Sequence, residues 1–197
     1  MKTPEDFRRD DVREVFKRRL GEQIIQLRPL SIKIEENLLS DKTMVDMSFE
    51  KLTGTKKKKF SFKKAPGSGF VDAVFLSCRS AFAEDFTSLS NLILVDLQVK
   101  PIFSMSTTET KTDAKTDVVF RLETKQHGIS EFRSRSRSII HSSFVAILNA
   151  FQFYMNCDKT FSKLQYILED ARKRNRGDVS QGCISDLSVL TRVNTYA

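Results

Sequence analysis

Apolar and polar positions along this chain follow two periods, and the switches between them mark its elements. Over positions 4–27 a stripe of Phe7, Val12, Val15, Phe16, Leu20, Ile24, Ile25 and Leu27 recurs at helical spacing between charged residues, which predicts an opening helix. Thr3 and Pro4 supply a cap and a first-turn proline, Gly21 is a point of interruption or bending, and Pro29 ends the segment. Positions 30–35, 43–50 and 59–63 then alternate with period two, as strands with one face on a core do. After the turn at Gly67, Ser68 and Gly69, a helix over 70–83 gathers Val71, Val74, Phe75, Cys78, Ala81 and Phe82 on one face. The order repeats with strands at 92–103, 116–123 and 131–136, then an apolar helix over 139–155. Pro101 predicts a bulge or an edge near the end of the long strand. A separate helix over 160–174 and a short one near 184–193 complete the pattern.

Two successive β-β-β-α units are therefore expected, an α+β fold in which the units pack together and a free sheet edge is open to a second subunit. Residues 1–29 form an N-terminal helix in this reading, 30–156 the duplicated domain and 157–197 a helical extension. The 197 residues, 40% of them apolar and 29% charged, suit one globular domain. Sixteen Phe and no Trp assign much of the packing to phenylalanine. No apolar run reaches the roughly 20 residues of a membrane span. The charged start lacks the apolar stretch of a secretory signal, and Cys78, Cys157 and Cys183 lie far apart, so a cytoplasmic location is expected.

The net charge of +8 admits a nucleic-acid partner. Its densest runs are Lys56 to Lys59 and the alternation of Arg133, Arg135 and Arg137 with serines. Read as a strand, that alternation puts arginines on one face and serines on the other; the lysines read as an exposed strand start that protects an edge. His127 and His141 have neither a nucleophile-elbow pattern nor ligand spacing around them, and no phosphate-loop lysine or dinucleotide fingerprint occurs. No catalytic residue, metal or cofactor is expected. The Gly-Ser-Gly turn is the chemical feature that remains: a bend that leads into a helix start, whose free N–H groups and dipole can seat a carboxylate or phosphate.

Three motifs in order, over residues 30–156, resemble the C-terminal regulatory (LeuA dimerisation) domain of the 2-isopropylmalate and citramalate synthases. In that family a Gly-x-Gly-Pro-Val-Asp-Ala turn ends the first unit; here Gly67, Ser68, Gly69, Phe70, Val71, Asp72 and Ala73 stand in its place. Phe103 with Thr112, Asp113 and Ala114 resembles the strand aromatic and Gly-Thr-Asp-Ala turn of the second unit. Ser138, Ile139, Ile140, His141, Ser142 and Ser143 match in part the Asp-Ile-Ile-x-Ala-Ser helix start. The resemblance implies a homodimer that binds leucine or isoleucine as effector at Gly67, Ser68, Gly69, Val71, Asp72, Phe103, Ala114 and Ile139. Phe70 in place of the motif proline crowds that pocket, and Ser138 replaces an aspartate while keeping a capping oxygen. About thirty residues ahead of the first predicted strand are too few for the family's barrel of roughly 250 residues. The expectation is thus a stand-alone, non-catalytic regulatory domain that acts on a separate synthase. Two other readings stay open: a dimerising scaffold with a dead pocket, and a basic nucleic-acid-binding module.

Overall fold

A computed structural model of the chain describes residues 4–40, 42–102, 115–124 and 128–193. Its elements run α1 (Pro4–Leu20), β1 (Ile25–Asn37), β2 (Lys42–Thr53), β3 (Lys56–Gly67), α2 (Phe70–Phe82), β4 (Leu92–Ile102), β5 (Lys115–Thr124), β6 (Gly128–Ser136), α3 (Ile139–Lys173) and α4 (Gly177–Leu190). The strands make two antiparallel three-stranded sheets, ordered β1-β2-β3 and β4-β5-β6. This is the α+β arrangement of two βββα units that the alternation predicted. A short 3-10 turn precedes the first strand of each unit. Each first strand is bulged a few residues in, skipping Leu30 in β1 and Val95 in β4, so the two units match in detail. Of the two alternatives expected at Pro101 the edge holds: it pairs in register with Thr116, without a bulge, on edge strand β4.

Both units share one core. The inner face of the first sheet carries Val45, Met47 and Phe49, and that of the second Val118, Phe120 and Leu122, all buried. Helix α2 packs on β2 and β3, whereas α3 packs on β5 and β6 and also reaches β1. Phenylalanines weld these layers. Phe49 meets Phe60, Phe82 and, from α3, Phe144 at ring separations of 5.4, 5.9 and 6.4 Å. Phe75 of α2 crosses to Phe120 of β5 and Phe151 of α3 at 6.3 and 5.4 Å. Rings at these distances add to their area burial.

Three boundaries differ from the sequence expectation. The opening helix stops at Leu20 because Gly21 takes a left-handed φ of +53°, a usual helix terminator. Ile25 and Leu27 then face inward as alternate residues of β1, and Pro29 sits inside that strand next to its bulge, on a sheet edge where no N–H is needed. The boundary drawn after residue 29 therefore falls within a strand. The helices expected at 139–155 and 160–174 are one 35-residue helix, so the boundary after residue 156 falls within α3. The last helix starts at Gly177, immediately after the basic run.

At its start, the free edge of β1 is covered by α3. Asn156 Oδ1 accepts from Ile25 N–H at 2.8 Å, and its Nδ2 donates to Ile25 C=O at 2.9 Å. One turn earlier, Gln152 Oε1 accepts from Leu27 N–H at 2.9 Å. Two amide side chains on α3 thus stand in for a neighbouring strand. Helix α1 is tied to α4 by Arg18 and Arg19, which both reach the buried carboxylate of Asp186.

Candidate functional site

The end of β3 turns into α2 within two residues. Gly67, the last residue of β3, pairs with Thr43 of β2. A Cβ on Gly67 would sit 2.5 Å from Ala73 N and 2.8 Å from Ala73 Cβ. Glycine is thus needed there because the first turn of α2 folds against the strand end. Gly69 is different: as N-cap it has an extended backbone (φ −168°) and nothing within 4 Å of an added Cβ.

The helix start already holds one anion, its own. Asp72 Oδ2 accepts hydrogen bonds from Ser68 N–H and Ser68 Oγ, both at 3.1 Å. This reach-back from the third helical residue resembles the carboxylate half of a capping box, but it lands on Ser68, one residue before the N-cap Gly69. Ala73 N–H donates to Gly69 C=O at 3.0 Å and closes the first turn. The N–H groups of Phe70, Val71 and Asp72 precede that bond and have no partner within the helix.

Antiparallel pairing sets what else lies beside the turn. The end of β3 neighbours the start of β2, and so the tip of the β1–β2 hairpin. A cavity of about 240 Å³ opens there, lined by Glu36, Asn37, Leu38, Lys42, Thr43, Ser68 and Gly69. A wider depression of about 540 Å³ shares Glu36, Asn37, Leu38 and Lys42 and runs along the hairpin tip. Within this lining Lys42 suits a carboxylate and Glu36 an ammonium group, with the Ser68–Gly69 turn that opens α2 beside them. Among the described residues Leu38 is the one apolar side chain lining the smaller cavity, and with Leu39 it is almost fully exposed, at 86% and 100%.

The expected site residues are only partly brought together. Gly67, Ser68, Gly69 and Asp72 cluster at the turn, and of these Ser68 and Gly69 line the cavity. Val71 is half-buried against the core and lines neither cavity. Ile139 opens α3 at the matching turn of the second unit and is half-exposed; it too is absent from the lining. There the cap is Ser138, whose Oγ accepts from His141 N–H at 3.2 Å. Phe103 and Ala114, with Thr112, Asp113 and His127, lie outside the described residues. Glu36, Asn37, Lys42 and Thr43 were not expected at the site. Their only signal in the sequence is the topology, which returns the hairpin tip to the Gly-Ser-Gly turn.

Neither a protein-family model nor a curated protein sequence matches the chain.

Other chemistry is weakly represented. Among the described residues no three His, Cys, Asp or Glu side chains gather as a metal site. All three cysteines are buried and in no disulfide, and burial pushes the Cys78 thiol far up, away from the reactive thiolate. No described helix is long and apolar enough to cross a membrane. Arg133 and Arg135 of the Arg-Ser alternation lie on β6, on the face opposite buried Phe132, whereas Arg137 follows the strand end. These arginines meet acids of their own sheet: Arg133 pairs with Glu131 at 2.9 Å, and Arg135 lies 3.8 Å from Asp117. Arg121 joins Glu131 at 2.6 Å. The four lysines opening β3 are exposed on an edge strand, the protective placement their pattern implied.

Proposed function

We propose that this chain is a non-catalytic regulatory domain that binds a small zwitterionic amino acid at the turn between β3 and α2. The observation that carries the reading is the cavity beside Ser68 and Gly69, whose lining holds both a cation, Lys42, and an anion, Glu36. The ligand carboxylate meets Lys42 beside the Ser68–Gly69 turn, and its ammonium group meets Glu36. The resemblance to the LeuA regulatory domains makes leucine or isoleucine the first candidates. One protomer supplies little apolar wall, so the aliphatic side chain is completed by a second copy docking over the exposed Leu38 and Leu39. Binding across such a homodimer would shift the balance between two subunit arrangements, and a separate synthase would read that shift.

One observation favours a second reading, a dimerising scaffold with no effector. The Asp72 carboxylate lies at the helix start and repels an incoming one. Thermal unfolding against leucine, isoleucine and the other amino acids decides between them. An effector at about a hundred times its Kd adds roughly 2.7 kcal/mol of stability, and Lys42→Met removes that gain. A flat response to every amino acid, with a dimer still present in sedimentation, leaves the scaffold.

A further inference from the structure

A second cleft lies at the opposite end of the β1–β2 ladder, where Ile25 pairs with Thr53, far from the hairpin tip. It is a cavity of about 390 Å³ between β2, the segment after α2, and the middle of α3, lined by Ile25, Lys51, Thr53, Asp85, Phe86, Asp158, Lys159 and Ser162. We propose that this cleft binds a small organic anion through a carboxylate or phosphate group held between the ammonium groups of Lys51 and Lys159. The proposal stands apart from the amino-acid site described above.

The geometry of the lysines argues for it. Lys51 Nζ is held over two rings, 5.2 Å from the centre of Phe86 and 5.6 Å from that of Phe82. Lys159 Nζ is anchored on Gln23 C=O at 2.7 Å, and one turn on Lys163 Nζ holds Arg19 C=O at 2.6 Å. The ammonium groups are therefore fixed in place, at little further entropic cost to a ligand. They also repel. Lys159 is held below its ordinary pKa by burial, then by Lys51 and Lys163; Lys51 is lowered by burial and by Lys58, against the opposing pull of Asp85. Of the two aspartates in the cleft, Asp158 is engaged by Ser88 N–H at 3.1 Å, and Asp85 lies on the exposed rim. Crowded, part-desolvated cations are relieved by an anion placed between them. Among the described residues the buried Thr53 hydroxyl has no hydrogen-bond partner, and Ile25 and Phe86 give the ligand body an apolar floor.

The test uses the full chain with 13C-labelled lysine, titrated at constant ionic strength with inorganic phosphate in one arm and succinate in the other. The expected result is saturable shifts of the Lys51 and Lys159 Cε signals with one common Kd, while Lys57, on the opposite sheet face, stays put. Phosphate alone, succinate alone, or both would identify the anion class the cleft accepts. Lys51→Met keeps an apolar stem on Phe82 and Phe86 and should weaken binding at least about tenfold. Lys57→Met removes the same charge without effect, and Lys42→Met, at the other cavity, also leaves this binding intact. Shifts spread evenly over all lysines, no saturation in either arm, or full affinity in Lys51→Met would each overturn the proposal.

Discussion

Two glycines that look alike in the chain have opposite jobs. Gly67 is fixed by contact, since a methyl group there would meet Ala73 N at 2.5 Å. Gly69 faces open space with an extended backbone that any residue adopts. Gly67→Ala should therefore cost about 1–3 kcal/mol, the usual penalty for overpacking. Gly69→Ser should gain about 0.5 kcal/mol, because serine caps better and restricts the unfolded chain. Urea unfolding of the two variants separates them, and equal effects would refute this division of roles. Glu131 offers a second check. Its carboxyl is held below the ordinary value first by the Arg133 hydrogen bond and also by Arg121, with burial opposing. A carboxyl lowered in the folded state stabilises fully above its unfolded pKa of 4.5 and loses that contribution as pH falls through the folded value. Glu131→Gln should thus flatten the stability profile over the range below about pH 4.5, while lowering stability at neutral pH. An unchanged acid limb would show that the pairing is spent in solvent.

Strands and the short helix were readable because period two and period 3.6 leave different marks, and α2 begins at the predicted residue. The misread elements share one cause: local pattern without its partner. Ile24, Ile25 and Leu27 continue a helical stripe by spacing, yet a left-handed Gly21 ends the helix first and the same residues then serve a strand. In α3 the apolar face changes partner, from the sheets to α4, which breaks the periodicity near Asp158 although no Gly or Pro breaks the helix. The candidate cavity was half-readable for a similar reason. Ser68 and Gly69 belong to a recognisable turn, but Lys42 and Glu36 arrive through strand pairing, which no local window contains. Edge protection by α3 was equally invisible and has a measurable consequence. Asn156→Leu would strip partners from Ile25 N–H and C=O, each worth about 1–3 kcal/mol when left buried and unpaired, for a loss of about 2–6 kcal/mol. Amide exchange at Ile25 should accelerate with it; unchanged protection there would mean that the β1 edge is held by other means.

A duplicated chain invites the view that each unit is a domain, but the contacts argue otherwise. Helix α3 belongs to the second unit by sequence, yet it supplies the ring of Phe144 against Phe49 and the amides that close the β1 edge of the first. Phe75 does the reverse, carrying α2 of the first unit onto Phe120 of the second. Each sheet is packed by its own unit's helix and also meets a ring from the other unit's helix, so the energetic unit is the pair. The terminal helices extend the same dependence, because α1 leans on α3 and is pinned to α4 through Asp186. A fragment of residues 1–86, which retains α1, the first sheet and α2, should therefore be unfolded, with collapsed amide dispersion and little strand signal in circular dichroism. The intact chain should instead melt in one transition, reported alike by backbone and aromatic signals. If the fragment gave a dispersed spectrum, each βββα unit would be a domain in its own right. Ligand-driven motion would then have to be sought between units of one chain rather than between whole protomers.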